Sequence, residues 1–224
     1  MHRKRDYIEE ILSAKSRLSK RSDRWTHYID RAALIYRSYE HLKKDVHHSK
    51  EFRLELLRYI PIGLVACIQG YFRLVIRDII DHGLPYQNNV NKLKDIKYDP
   101  QTVLAIFKKK ISLGDFVSHL LLINSLKEIN KYMSILLDLG FLKEVVVHVV
   151  RNSEGRKLVR IGSQADFIFA SIEKIFEFRH IFSHELCLKM KPKLKETEDF
   201  LNASIIFVHV TESFIDGILS KKHK

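Results

Sequence analysis

The stretch DFIFASIEKIFEFRHIFSHELCLKMKPK, residues 166–193, decides how this chain is read. On a helix each residue turns by about 100°, so from Phe167 onward Ile168, Ile172, Ile175, Phe176, Phe178, Phe182 and Leu186 gather in one arc of about 160°. The pattern predicts an amphipathic helix, capped by Ser163 with Gln164 and Asp166 in its first turn, that runs to about residue 188 and is broken by KMKPK. Arg179 falls near the middle of the apolar arc. Glu173, Glu177, His180 and His184 fall on the opposite flank. A guanidinium buried without a partner costs several kcal/mol. Three arrangements remove that cost: a carboxylate inside the fold, a stem that snorkels past the edge, or a seam between subunits where the charge serves a ligand.

Outward from this helix, the same period recurs. A last helix is expected over about 194–220, with Leu201, Ile205, Val208, Phe214, Ile215 and Leu219 inward. A strong helix is expected to open at Pro61 and to stop at His82 and Gly83, with Leu64, Ile68, Tyr71, Phe72, Val75 and Ile79 inward. Gln69, Arg73 and Arg77 stand four apart along its flank. LPYQNNVN reads as a loop, followed by helices at 90–96, 100–111 and 113–139, the last with a break; Asp99 and Ser112 suit caps. FLKEVVVHVV with RNSEGRK and LVRIG admits either a small β-hairpin near 145–161 or a helix and a loop. Two charged helices are expected in the first 50 residues, capped between them by Ser22 or Asp23, with Trp25, Ile29, Leu34, Tyr39 and Leu42 as a modest stripe. The fold class is therefore all-α: a helical bundle over 51–224, with residues 1–50 as a helical extension packed on it.

Composition agrees. Hydrophobic residues make up 46% of the 224, enough for a sizeable core, and only 8 Gly and 4 Pro leave few tight turns. The formal charge of +12 favours a polyanionic partner. The 2 cysteines, Cys67 and Cys187, lie in apolar surroundings without metal or disulfide spacing. The charged opening MHRKRDYIEE is unlike a signal peptide, and the apolar stretches IPIGLVACIQGYF and LNASIIFVHV read as too short to span a membrane. A reducing, cytoplasmic setting is expected. His148 and His209, inside apolar runs, read as core histidines.

RHIFSH, from Arg179 to His184, resembles the motif of the HEPN superfamily, small helical domains that include many ribonucleases. The pattern is an arginine, often a polar residue after it, and a histidine a few residues on. The spacing also occurs from Arg21 to His27 and from Arg77 to His82. Only Arg179 and His184 sit late in a long helix with one further long helix after it, as the resemblance implies. It covers roughly residues 60–220, by helix order outside the motif.

The resemblance implies a homodimer whose two motifs line one cleft, doubling each residue across a two-fold axis. It implies RNA cleavage without metal or cofactor, with 2′,3′-cyclic phosphate and 5′-hydroxyl ends. His184 would serve as base or acid, Arg179 would hold the phosphate, and His180 would orient RNA or the neighbouring motif. Lys189, Lys191, Lys193 and Lys195 would track the RNA backbone. Relatives of this kind act as toxins or in abortive phage defence, some beside an antitoxin. Three other readings stand: a non-catalytic RNA-binding or protein-interaction module, a metal-binding bundle using Glu173, Glu177, His180 and His184, and a membrane-surface protein.

Overall fold

The computed structural model describes residues 6–18, 23–93, 100–108, 110–151, 157–185 and 189–220. The chain is an all-α bundle with one short β-ribbon. Its axis is α3, Lys50–Asp81, against which α2 (Arg24–Lys44), α6 (Leu113–Leu120), α9 (Ala165–His184) and α10 (Leu194–Leu219) all pack. One core cluster joins them, with Tyr39, Leu64, Phe72, Ile79, Ile172 and Phe207 all but sealed from solvent.

The long central helix corrects the expected start at Pro61. Ser49 caps it, its hydroxyl accepting from the Phe52 N–H at 3.2 Å, and Pro61 lies inside. A proline there forfeits one backbone bond, but Leu57, Ile60, Pro61 and Leu64 are all buried, and that packing holds the helix through it. At this length α3 could cross a membrane on length and composition, with mean hydropathy 1.6 over its best window, which corrects the expectation that no stretch is long enough; 56% of that window is buried within the bundle.

The charged N-terminal helices form as read. In α1 (Tyr7–Ser16) the Asp6 carboxylate caps Glu9, and in α2 Asp23 caps Thr26. Ser22 lies outside the described residues. Tyr28, Ala32 and Tyr39 of α2 enter the main core, whereas Leu34 is 60% exposed and leaves the expected stripe. Helix α1 rests instead on a second cluster of Ile11, Ala105, Ile111 and Phe116, which joins it to α5 (Pro100–Phe107) and α6.

LPYQNNVN is not the open loop expected. Tyr86–Asn89 forms α4 and Val90–Lys92 a 3-10 turn, because Tyr86 and Val90 are buried and the Asn89 amide donates to the Leu136 carbonyl at 2.9 Å. Asp99 lies outside the described residues. The expected 113–139 helix breaks into α6 and α7 (Leu126–Leu137), each with its own serine cap: Ser112 with Asp115 in a capping box, and Ser125. Gly114 brings α6 against α3: a Cβ there would stand 2.4 Å from the Arg77 carbonyl oxygen. The ambiguous stretch holds both structures, a helix α8 (Phe141–Val147) and then an antiparallel ribbon of β1 (Val150–Arg151) and β2 (Lys157–Val159).

Candidate nucleic-acid interface

Helix α9 buries Ile168, Ile172, Ile175, Phe176 and Phe178 as its wheel requires. The Phe178 ring meets Phe200 at 5.3 Å, and Phe169 meets Phe207 at 6.1 Å, so α9 and α10 run antiparallel. By that register His184 falls level with the first residues of α10. The helix ends there, about four residues earlier than expected, where Glu185 turns extended. Leu186 and Cys187 lie outside the described residues.

Burial thins at this end, so Arg179 is not at the centre of a sealed face. It is half-buried, as is Phe182, while His180, Ser183 and His184 are exposed. Among the described residues no carboxylate pairs with Arg179. The two imidazole rings stand 5.3 Å apart, one helical turn along. Arg179 and His184, five residues apart, diverge by about 140° around the helix axis, with His180 between them.

The lysines are less uniform than the sequence suggests. Lys189, Lys191 and Lys193 are exposed in the segment leading into α10. That segment is held by buried Pro192, by Arg58 donating to the Met190 carbonyl at 3.4 Å, and by the Tyr39 hydroxyl donating to the Leu194 carbonyl at 3.1 Å. Lys195 is tied to Asp199 at 3.0 Å, which raises its pKa through that hydrogen bond and charge. It is the least free of the four.

The buried arginine–carboxylate pairing that Arg179 lacks is found elsewhere, at a residue that sequence reasoning missed. Arg24, with 10% of its side chain exposed, donates to Glu212 at 2.8 Å and Asp78 at 2.9 Å, and also to Asp216. Tyr71 donates its hydroxyl to the same Glu212 oxygen at 2.7 Å. Burial opposes the Arg24 charge, but Glu212 and the bond to Asp78 more than offset it and hold its pKa above the usual value. Burial pushes the Glu212 carboxyl up, with Tyr71 and Arg24 pulling it part of the way back. No local signal marks this network, since Asp78 and Glu212 lie 54 and 188 positions along the chain from Arg24.

Of the competing arginine–histidine spacings, Arg77 to His82 is taken up by contacts within the fold. Arg77 is bound to Asp78 at 2.7 Å, and the His82 ring sits 6.0 Å from Tyr86 at the end of α3. Arg21 lies outside the described residues. His148 meets the Ser213 hydroxyl at 3.0 Å and the His209 ring lies tilted against Trp25, centroids 5.1 Å apart; burial lowers the pKa of both. Burial likewise pushes the Cys67 thiol up to about 11. Among the described residues no three His, Cys, Asp or Glu side chains gather as a metal site, the Glu173–His184 flank included. No family model, curated protein or solved structure matches the chain.

Proposed function

We propose that the chain is a metal-independent endoribonuclease that cleaves RNA at the Arg179, His180 and His184 end of α9. The observation that carries this reading is a half-buried arginine with no carboxylate partner among the described residues, beside two exposed histidines. A guanidinium held in place by its helix and left unneutralised is available to an external anion. Exposed Lys189, Lys191 and Lys193 lie in the adjoining segment and suit a phosphate backbone.

In the reaction, one imidazole removes the proton from a ribose 2′-hydroxyl. The 2′-oxygen attacks the adjacent phosphorus and the bond from phosphorus to the 5′-oxygen breaks. An imidazolium then returns a proton to that 5′-oxygen, leaving a 2′,3′-cyclic phosphate and a 5′-hydroxyl. Arg179 stabilises the charge that builds on the phosphoryl oxygens. Its divergence from His184 around α9 favours a composite cleft, in which Arg179 of one copy works with His184 of a second, and His180 orients RNA between them. Such an activity suits a toxin or antiviral effector restrained by a regulatory protein.

The test uses full-length protein, structured RNA and a chelator. Cleavage to cyclic-phosphate ends is expected, with DNA of the same sequence left intact. Arg179→Ala and His184→Ala are each expected to abolish it while the thermal midpoint stays put. Salt-sensitive RNA binding without cleavage would instead identify a non-catalytic module.

A further inference from the structure

Helix α5 has the sequence PQTVLAIF, with no charged residue and only Gln101 and Thr102 polar. A helix that is apolar all round belongs in an enclosed environment. This one is enclosed on a single side. At about 100° per residue, Thr102, Ala105 and Ile106 share the side turned to the protein. Thr102 and Ala105 are buried, and Ile106 packs on the cluster of Ile11, Ile111 and Phe116. Val103, Leu104 and Phe107 share the opposite side, within an arc of about 100°. They stand 54%, 50% and 82% exposed.

Three lysines follow at once, Lys108, Lys109 and Lys110, and no acid occurs from Pro100 to Gly114. The Lys108 N–H donates to the Leu104 carbonyl at 2.9 Å, which carries the helical turn one residue further and sets Lys108 at the edge of the apolar arc. The Lys110 N–H donates to the Ala105 carbonyl at 3.0 Å, and Ile111 is buried. The run is thus fixed between an exposed phenylalanine and a core isoleucine. Lys108 and Lys110 are exposed, and among the described residues neither has a carboxylate partner. Lys109 lies outside the described residues.

Exposed apolar side chains bordered by unneutralised lysines match an anionic lipid surface, where apolar groups enter the acyl boundary and ammonium groups meet the headgroups. A second copy of the chain matches less well, because a two-fold contact would bring the lysines of both copies together. RNA would suit the lysines, but Val103 and Leu104 offer no flat face on which a base could stack. We propose that this face of α5 docks on an anionic membrane surface, with Val103, Leu104 and Phe107 in the interface and Lys108 and Lys110 on the headgroups. Arg179 takes no part, so docking and RNA cleavage stand or fall independently.

In the test, the full chain is sedimented with vesicles of phosphatidylcholine alone and of phosphatidylcholine with phosphatidylserine. Binding is expected to the second kind only, and to weaken as salt rises. Phe107→Ser is expected to weaken it by about tenfold or more, and Lys108→Gln and Lys110→Gln by about fivefold each. The thermal midpoint should stay put in all three, because these side chains are exposed. The charge of +12 by itself would draw the chain to anionic vesicles, so undiminished binding by Phe107→Ser overturns the proposal. Phe107→Trp reports insertion directly: lipids brominated on their acyl chains should quench its emission, while the parent, whose Trp25 packs against the core, is not quenched. No quenching overturns the proposal as well. Without vesicle binding, a dimer lost in Phe107→Ser would assign the face to a second copy, and RNA binding lost in that variant would assign it to nucleic acid; either result overturns the membrane reading. Arg179→Ala should bind vesicles as the parent does.

Discussion

Arg24 and Arg179 are the same residue type, each on a long helix against the bundle, and they meet opposite fates. Arg24 opens α2 and is enclosed by three carboxylates, Asp78 from α3 and Glu212 and Asp216 from α10. Arg179 closes α9, half-buried, with no carboxylate among the described residues. One is satisfied entirely within the fold. The other keeps a charge that the fold positions and leaves unneutralised. A buried ion network specifies how three helices meet, whereas an unpaired, oriented cation is an opening for a ligand. The contrast puts structure at one end of the bundle and proposed chemistry at the other.

The largest expected effect tests the open end. If Arg179 stabilises a transition state, Arg179→Ala should reduce RNA cleavage by about 10²-fold or more, with stability changed by less than about 0.5 kcal/mol. A composite cleft adds a sharper outcome. Mixing Arg179→Ala protein with His184→Ala protein should restore activity, because a mixed dimer still holds one arginine and one histidine. Two dead variants that stay dead when mixed, under conditions where subunits exchange, would place both groups in one copy.

The closed end should behave inversely. Arg24→Ala strands Glu212 and Asp78 and is expected to cost about 3–5 kcal/mol in urea denaturation. Arg24→Met with Glu212→Leu, which removes both charges, should recover part of that loss. A cost for Arg24→Ala no larger than that of Arg179→Ala would erase the distinction between the two arginines.

Much of the fold was legible in the sequence because periodicity is a local signal. The apolar arc of α9, the caps at Asp23 and Ser112, and the last helix all rest on residues within a few turns of one another. Pro61 misled because the packing of Leu57, Ile60 and Leu64, which only the assembled core supplies, outweighs a lost backbone bond. The candidate site was legible as a list and not as an arrangement. The wheel placed Arg179 among apolar residues, but only the register with α10 shows that burial ends at Phe178. The Arg24 network was invisible because its members come from three distant helices. Arg73 and Arg77 were seen as a flank of α3; the arginines of α2 that face them depend on helix pairing.

The smallest effect concerns pH and sets two carboxylates of the structured side against each other. Asp115 is buried, which by itself would raise its pKa, but the Lys15 ammonium and the Ser112 amide outweigh burial and lower it. A carboxyl depressed in the folded state contributes stability that is present above its unfolded pKa and is lost as pH falls through the folded one. The Glu212 carboxyl is shifted the other way, so the proton it binds favours the fold, and that contribution is lost as pH rises through its folded value. Between pH 6 and 3, roughly the range of carboxylate titration, Asp115→Asn should therefore flatten the acid loss of stability, and Glu212→Gln should steepen it. The Lys15 end is 44% exposed and screened, so the Asp115 contribution is on the order of 1 kcal/mol. Urea midpoints measured across this range decide it. If Asp115→Asn leaves the acid limb unchanged, the Lys15–Asp115 contact does not hold α1 to α6, and that role passes to the apolar cluster of Ile11, Ala105, Ile111 and Phe116.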